Sequence, residues 1–128
     1  MPKKILVVDD DKLVLMTLKR LLRMEGYDVT TALSGAAALR HIDEEDFDLN
    51  IVDVKMPEMN GIETVKEIRK HLMDKKKNLI PEIFITAYAK EEIYREALLL
   101  DAAGYIEKPF DIKSLLNITK TIIGKGRL

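Results

Sequence analysis

The sequence predicts an α/β fold, a parallel sheet with helices on both faces, and three observations carry that expectation. Five short bursts rich in Val, Ile, Phe and Thr alternate with longer stretches of helical period, the pattern of strand–helix units. The first and third bursts are apolar on both faces, as in central parallel strands covered from each side. The 128 residues, 47% of them hydrophobic, suffice for one sizeable core, and no repeat, low-complexity segment or Pro/Gly/Ser linker divides them. A single domain over residues 1–128 is expected.

The elements follow in order. The first strand is Lys4–Val8, and the helix after it, Lys12–Glu25, puts Val14, Leu18, Leu21 and Leu22 on one face before Gly26 stops it. The second strand is Tyr27–Ala32; Ser34 is placed to cap a helix over Gly35–Glu45. The third is Phe47–Val52, and its helix, Ile62–Met73, begins at Asn60 and Glu63, which have the spacing of a capping box. The fourth is Glu82–Ala87, with a helix over Lys90–Leu100 in which Leu98–Leu100 reads as core, with a partner site as the alternative. The fifth is Gly104–Glu107, after which Asp111 can cap Ile112–Ile123. His41 and His71 read as surface residues, and the Lys75-Lys76-Lys77 run as a solvated loop, with a docking patch for an acidic partner as the alternative.

Composition removes several functions. With no cysteine, disulfides, thiolate metal sites and thiol catalysis are excluded. Lys and Arg number 21 against 22 Asp and Glu, a net charge of −1, so no global field draws the chain to nucleic acid or a membrane surface. No apolar run approaches the roughly 18–20 residues of a membrane span, and Asp9-Asp10-Asp11 ends the N-terminal run too early for a signal peptide. A soluble, cytoplasmic protein without membrane insertion is expected.

In parallel sheets with right-handed crossovers, ligands bind beyond the carboxyl ends of the strands. Asp9, Asp10 and Asp11 end the first strand, Asp53 the third, Thr86 the fourth and Lys108 the fifth. Taken singly, each has an ordinary explanation: a strand-end Asp is usually a turn former or cap, Thr86 a β-branched strand residue, Lys108 a solvated end. Together they form an inventory. A cap accounts for one Asp before Lys12, and Asp11 is placed to be it, but not for three, and Asp53 lies too far from the next helix to cap it. Carboxylates about 4 Å apart repel by roughly 4 kcal/mol at an effective dielectric near 20, so a cation must offset them. Lys108 is one candidate. A divalent ion with hard oxygen ligands is the other, and with no Cys, and no His in these loops, that ion is Mg²⁺ rather than Zn²⁺. Asp, Mg²⁺, a hydroxyl and a lysine together suit phosphoryl transfer.

Four stretches carry a resemblance: Ile5-Leu6-Val7-Val8-Asp9-Asp10-Asp11, Ile51-Val52-Asp53-Val54-Lys55-Met56-Pro57-Glu58-Met59-Asn60-Gly61, Ile85-Thr86-Ala87-Tyr88, and Tyr105-Ile106-Glu107-Lys108-Pro109-Phe110. In this order and spacing the chain resembles the receiver (CheY-like) domains of two-component response regulators, essentially along its whole length. The resemblance implies a flavodoxin-like, doubly wound (βα)5 fold with strand order 2-1-3-4-5. It implies that Asp53 accepts a phosphoryl group from a phosphohistidine on a sensor histidine kinase or phosphotransfer protein. Asp10 and Asp53 would ligate Mg²⁺ with the main-chain carbonyl of Lys55, and Asp9 would act through water. Thr86 would hydrogen-bond the phosphoryl group, Lys108 would pair with it, and Tyr105 would be the switch aromatic that turns inward as Thr86 moves. The Lys108–Pro109 bond is expected to be cis, and Gly61 to permit a tight turn. Lys55 and Tyr88 would flank the path of a hydrolytic water. Output would lie on the face formed by residues 90–123, with an unknown protein target and no direct nucleic-acid contact.

One departure is Asp101, where relatives usually have glycine, so the end of the fourth helix is expected to differ. The rival reading is a phosphatase of the haloacid-dehalogenase type with Asp9 as nucleophile and Asp11 as acid/base. It lacks the threonine expected after the acids and room for a cap domain.

Overall fold

A computed structural model describes residues 2–87 and 92–125. The elements are β1 (Lys4–Val8), α1 (Lys12–Met24), β2 (Asp28–Ala32), α2 (Gly35–Glu44), β3 (Leu49–Asp53), α3 (Gly61–Asp74), β4 (Glu82–Thr86), α4 (Glu92–Leu99), β5 (Gly104–Glu107) and α5 (Ile112–Lys125). The strands are all parallel and lie in the order β2-β1-β3-β4-β5. This is the flavodoxin-like doubly wound arrangement, with a switch point where the chain, having placed β2 on one side of β1, places β3 on the other.

Side chains alternate along each strand, so the sheet separates two cores. Leu6, Val8, Val52 and Phe84 face Ala38 and Ile42 of α2, Val65, Ile68 and Leu72 of α3 and Ala97 of α4. Ile5, Val7, Ile51 and Ile85 face Leu15, Leu18 and Leu22 of α1 and Leu115 of α5. Every residue of β3 and β4 is buried, whereas edge strands β2 and β5 are partly open. Each fully buried Leu, Ile or Phe contributes about 1.5–3 kcal/mol, which fixes register because a one-residue slip would expose a whole face.

The expected caps form. Asp11 accepts from the Leu13 N–H at 2.9 Å and Ser34 from the Ala37 N–H at 3.1 Å. Asn60 and Glu63 make a reciprocal capping box, and Asp111 accepts from the Lys113 N–H at 3.3 Å. Lys108–Pro109 is cis.

Several expectations need correction. β2 starts at Asp28, because the Tyr27 N–H is spent on the Leu22 carbonyl at the end of α1. β3 starts at Leu49 and includes Asp53: the Lys4 N–H is held by the Asp48 carboxylate at 2.8 Å, with Phe47 buried ahead of the strand. On α1 the third fully buried leucine is Leu15, while Val14 and Leu21 are half-buried. Leu98 and Leu99 are exposed, Leu99 at 85%, so of the run expected as core only Leu100, half-buried, packs against it. His41 and His71 are half-buried beside carboxylates, His71 Nδ1 lying 3.1 Å from Asp43. Lys75, Lys76 and Lys77 are exposed as expected, and the pairing of Lys75 with Asp43 and Lys77 with Asp46 weakens the docking-patch alternative. Gly61 is required by close approach: a Cβ there would meet the Asp53 carbonyl oxygen at 2.1 Å, and the left-handed residue of that loop is Glu58. Tyr88 and the first two residues of the expected Lys90–Leu100 helix lie outside the described residues.

Candidate functional site

The carboxyl ends of β1, β3, β4 and β5 converge on one site, β1 delivering Asp9 and Asp10 and each of the others one expected residue. Asp9 follows β1 directly, its backbone N–H bonded to Ala32 of β2 at 3.1 Å, which extends the sheet by one rung. Asp53 is the last residue of β3, in register with Ile85. Thr86 closes β4, and its carbonyl accepts from the Lys108 N–H at 2.7 Å, so the backbone itself holds Lys108 beside the β4 end. Asp9, Asp53 and Thr86 are buried, at 2%, 7% and 1% exposure, while Asp10 is exposed at the mouth.

Carboxylate oxygens of Asp9, Asp10 and Asp53 all lie within 4.8 Å of one another. Lys108 Nζ donates to Asp9 Oδ2 at 3.0 Å and stands 3.5 Å from Asp53 Oδ1. Burial, and then the charge of Asp9, push the Asp53 carboxyl from 3.8 up to about 7, against the pull of Lys108. Burial also raises Asp9, opposed by the Asp11 N–H and Lys108. For Lys108, burial works against the charged form, but its hydrogen bond to Asp9 and the charge of Asp53 win and raise it. One lysine therefore does not satisfy three acids.

The donor set fits a hard divalent cation: three carboxylates, no sulfur or imidazole, and one open, solvent-facing side at Asp10. Lys55 sits two residues beyond Asp53 with its side chain exposed.

Asp9 and Asp11 are already occupied in other ways. Asp9 Oδ1 accepts from the Asp11 N–H at 2.9 Å and Oδ2 from Lys108, so both oxygens are engaged. The Asp11 side chain is exposed and caps α1. A phosphatase built on Asp9 as nucleophile and Asp11 as acid finds neither residue poised for those roles.

Tyr105 lies on β5, half-buried, its ring stacked on Phe84 with centroids 6.1 Å apart. Its hydroxyl reaches the end of α4, donating to the Ala97 carbonyl at 3.1 Å and accepting from the Ala102 N–H at 2.9 Å. Sequence reasoning missed a second charged constellation at the opposite end of the sheet. There Arg69 of α3 forks onto Glu82 of β4 at 2.9 and 2.8 Å, and Glu82 is 3% exposed. Its signal was Glu at the start of an otherwise apolar strand, a position that demands a buried cation.

Comparisons with known proteins agree with this geometry. Residues 5–120 match the family described as response regulator receiver domain. The chain is 44% identical over 111 residues to the transcriptional regulatory protein ZraR of Escherichia coli (strain K12), covering 87% of this chain and 24% of ZraR. It is 36% identical over 115 residues to CrdR of Helicobacter pylori, covering 90% of this chain and 52% of CrdR. The chain thus spans from about a quarter to about half the length of these curated relatives. Among solved structures, a CheY-like receiver domain protein from Methanospirillum hungatei JF-1 superposes with a TM-score of 0.87 at 33% identity, covering 98% of this chain and 96% of that one. TrrA of Thermotoga maritima, solved in complex with Mg²⁺ and BeF, superposes with a TM-score of 0.75 at 33% identity, covering 94% and 98%. Among the described residues no helix is long and apolar enough to cross a membrane. With the fold, the strand-end acids and the match over residues 5–120 in agreement, this chain belongs to the response regulator receiver domains of two-component signalling.

Proposed function

We propose that the chain is a phosphorylation-dependent switch in which Asp53 accepts a phosphoryl group from a phosphohistidine of a sensor kinase or phosphotransfer protein. The observation that carries this reading is the placement of Asp53: buried at a strand end, 3.5 Å from Lys108, and clustered with the carboxylates of Asp9 and Asp10. In the transfer, an Asp53 oxygen forms the new bond to phosphorus as the phosphorus–nitrogen bond of the donor breaks, and the electron pair leaves with the imidazole. Lys108 and the Thr86 hydroxyl meet the phosphoryl oxygens. Asp10, Asp53 and the Lys55 carbonyl would hold Mg²⁺, with Asp9 acting through water. When bound, the ion neutralises phosphoryl oxygens and the crowded acids. The chain catalyses this transfer and the later hydrolysis on itself and turns over no separate substrate. Its product is a population shift over residues 92–123, the face presented to a downstream protein. One domain accounts for all 128 residues.

Acetyl phosphate, Mg²⁺ and intact-mass measurement test the acceptor. A single phosphoryl adduct that is abolished in Asp53→Asn and retained in Asp9→Asn supports the switch; the reverse pattern supports the Asp9 phosphatase and sinks the proposal.

A further inference from the structure

Among the described residues three helices end on a left-handed residue, and two of them close in the same way. At α1, with Gly26 at φ 94°, the Gly26 N–H bonds the Arg23 carbonyl at 3.0 Å and the Tyr27 N–H bonds Leu22 at 3.2 Å. At α3, with Lys76 at φ 57°, the Lys76 N–H bonds Met73 at 3.0 Å and the Lys77 N–H bonds Leu72 at 2.8 Å. Both are complete Schellman caps, an inner and an outer bond over the last turn.

At α4 the left-handed residue is Asp101, at φ 53°, and the inner bond is present, from the Asp101 N–H to Leu98 at 3.2 Å. The outer bond would join the Ala102 N–H to the Ala97 carbonyl. Instead the Tyr105 hydroxyl stands between them, accepting from Ala102 at 2.9 Å and donating to Ala97 at 3.1 Å. A phenol carries one donor and can accept, so it fits this gap fully satisfied. The final turn of α4 is therefore held open by a side chain that belongs to β5.

We infer that the Tyr105 hydroxyl is a removable link in the α4 cap, and that the cap has two closures. With the phenol in place, Ala102 and Ala97 are spaced by one oxygen. With the phenol withdrawn, the two orphaned groups pair directly, as at α1 and α3, because leaving a half-buried N–H and carbonyl unpaired costs more than a small shift of the turn. The shift falls on the turn bearing exposed Leu98 and Leu99, so a rotation of one β5 side chain is read out as a change in the surface of α4. The relevance of that motion to signalling rests on the switch proposed above; the two closures do not, and they are testable in the unphosphorylated chain.

The test is the scalar coupling across hydrogen bonds between the amide nitrogen of one residue and the carbonyl carbon of another, measured by NMR on the full chain. In the wild type, couplings are expected for Tyr27–Leu22 and Lys77–Leu72 and none for Ala102–Ala97. Tyr105→Phe removes the hydroxyl and keeps the ring against Phe84; Tyr105→Ala also removes the ring as a prop. Appearance of the Ala102–Ala97 coupling in either variant, with the other two couplings intact as proof of folding, supports the inference. A direct Ala102–Ala97 coupling in the wild type, or its absence from both variants, overturns it.

Discussion

Lys108 donates its hydrogen bond to Asp9, at 3.0 Å, although it also stands within 3.5 Å of Asp53. Asp9 thereby holds the cation beside Asp53, the acceptor in the proposed transfer, and negative charge developing there can draw the ammonium across. Lys108→Ala is expected to slow phosphoryl acceptance from acetyl phosphate by about 10²-fold or more, the usual effect of deleting one preorganised charge-stabilising donor. The check is the adduct formation rate at saturating Mg²⁺.

The burial that raises Asp53 makes it a source of pH-dependent instability. Its folded value of about 7 exceeds the ordinary 3.8, so between these values the native state holds a proton the unfolded chain has released. Stability from this group therefore falls as pH rises through that window, and the cost is complete above pH 7. Asp53→Asn removes it. In metal-free buffer the variant is expected to be more stable than the wild type by roughly 2 kcal/mol above pH 7, a difference that shrinks toward pH 4. Denaturant titrations across this range supply the measurement, and added Mg²⁺ should narrow the gap by stabilising the wild type.

Gly61 and Gly124 make opposite predictions. A Cβ at Gly61 would strike the Asp53 carbonyl at 2.1 Å and Val54 Cα at 2.9 Å, both backbone atoms, whereas at Gly124 nothing lies within 4 Å. Gly61→Ala is expected to destabilise by about 2 kcal/mol or more and to disturb the site through Asp53. Gly124→Ala should be neutral or stabilise by up to about 0.5–1 kcal/mol as a better helix former. Thermal unfolding of the two variants side by side distinguishes them.

Arg69, half-buried, and Glu82, buried, pair at the other sheet end, 2.8 Å apart. Arg69→Met leaves Glu82 uncompensated and is expected to cost roughly 3–5 kcal/mol, while the double change Arg69→Met with Glu82→Leu recovers most of that loss. Chemical denaturation of the three variants gives the cycle.

Much of this architecture is legible from residue chemistry. Asp11, Ser34, Asn60 and Asp111 announced their helices because a short polar side chain before an apolar-periodic stretch has one profitable use, and each caps as expected. Asp9, Asp10, Asp53 and Lys108 were readable because parallel topology brings strand ends together whatever the loops do. What stayed hidden depends on packing between distant segments. Leu15 rather than Val14 is fully buried because the sheet fixes the rotation of α1, which helical period alone leaves loose by a residue. Leu98 and Leu99 resembled core by composition, yet of that turn it is Ala97 and Leu100 that pack on the core. The Tyr105 link to Ala97 joins different elements and no local pattern encodes it, while Glu82 at the start of its strand signals a cation without naming Arg69 as its source.

The central claim, that charge placed on Asp53 is read at residues 92–123, is tested most directly by amide NMR spectra of the chain with and without Mg²⁺ and beryllofluoride, a mimic of the phosphoryl group. The account predicts shifts in the pocket at Asp9, Asp53, Thr86 and Lys108 together with shifts through Tyr105, the end of α4 and the α5 face, while β2 and α2 stay still. All of these should be absent in Asp53→Asn. Shifts confined to the pocket, with Tyr105 and α4 unmoved, would contradict it.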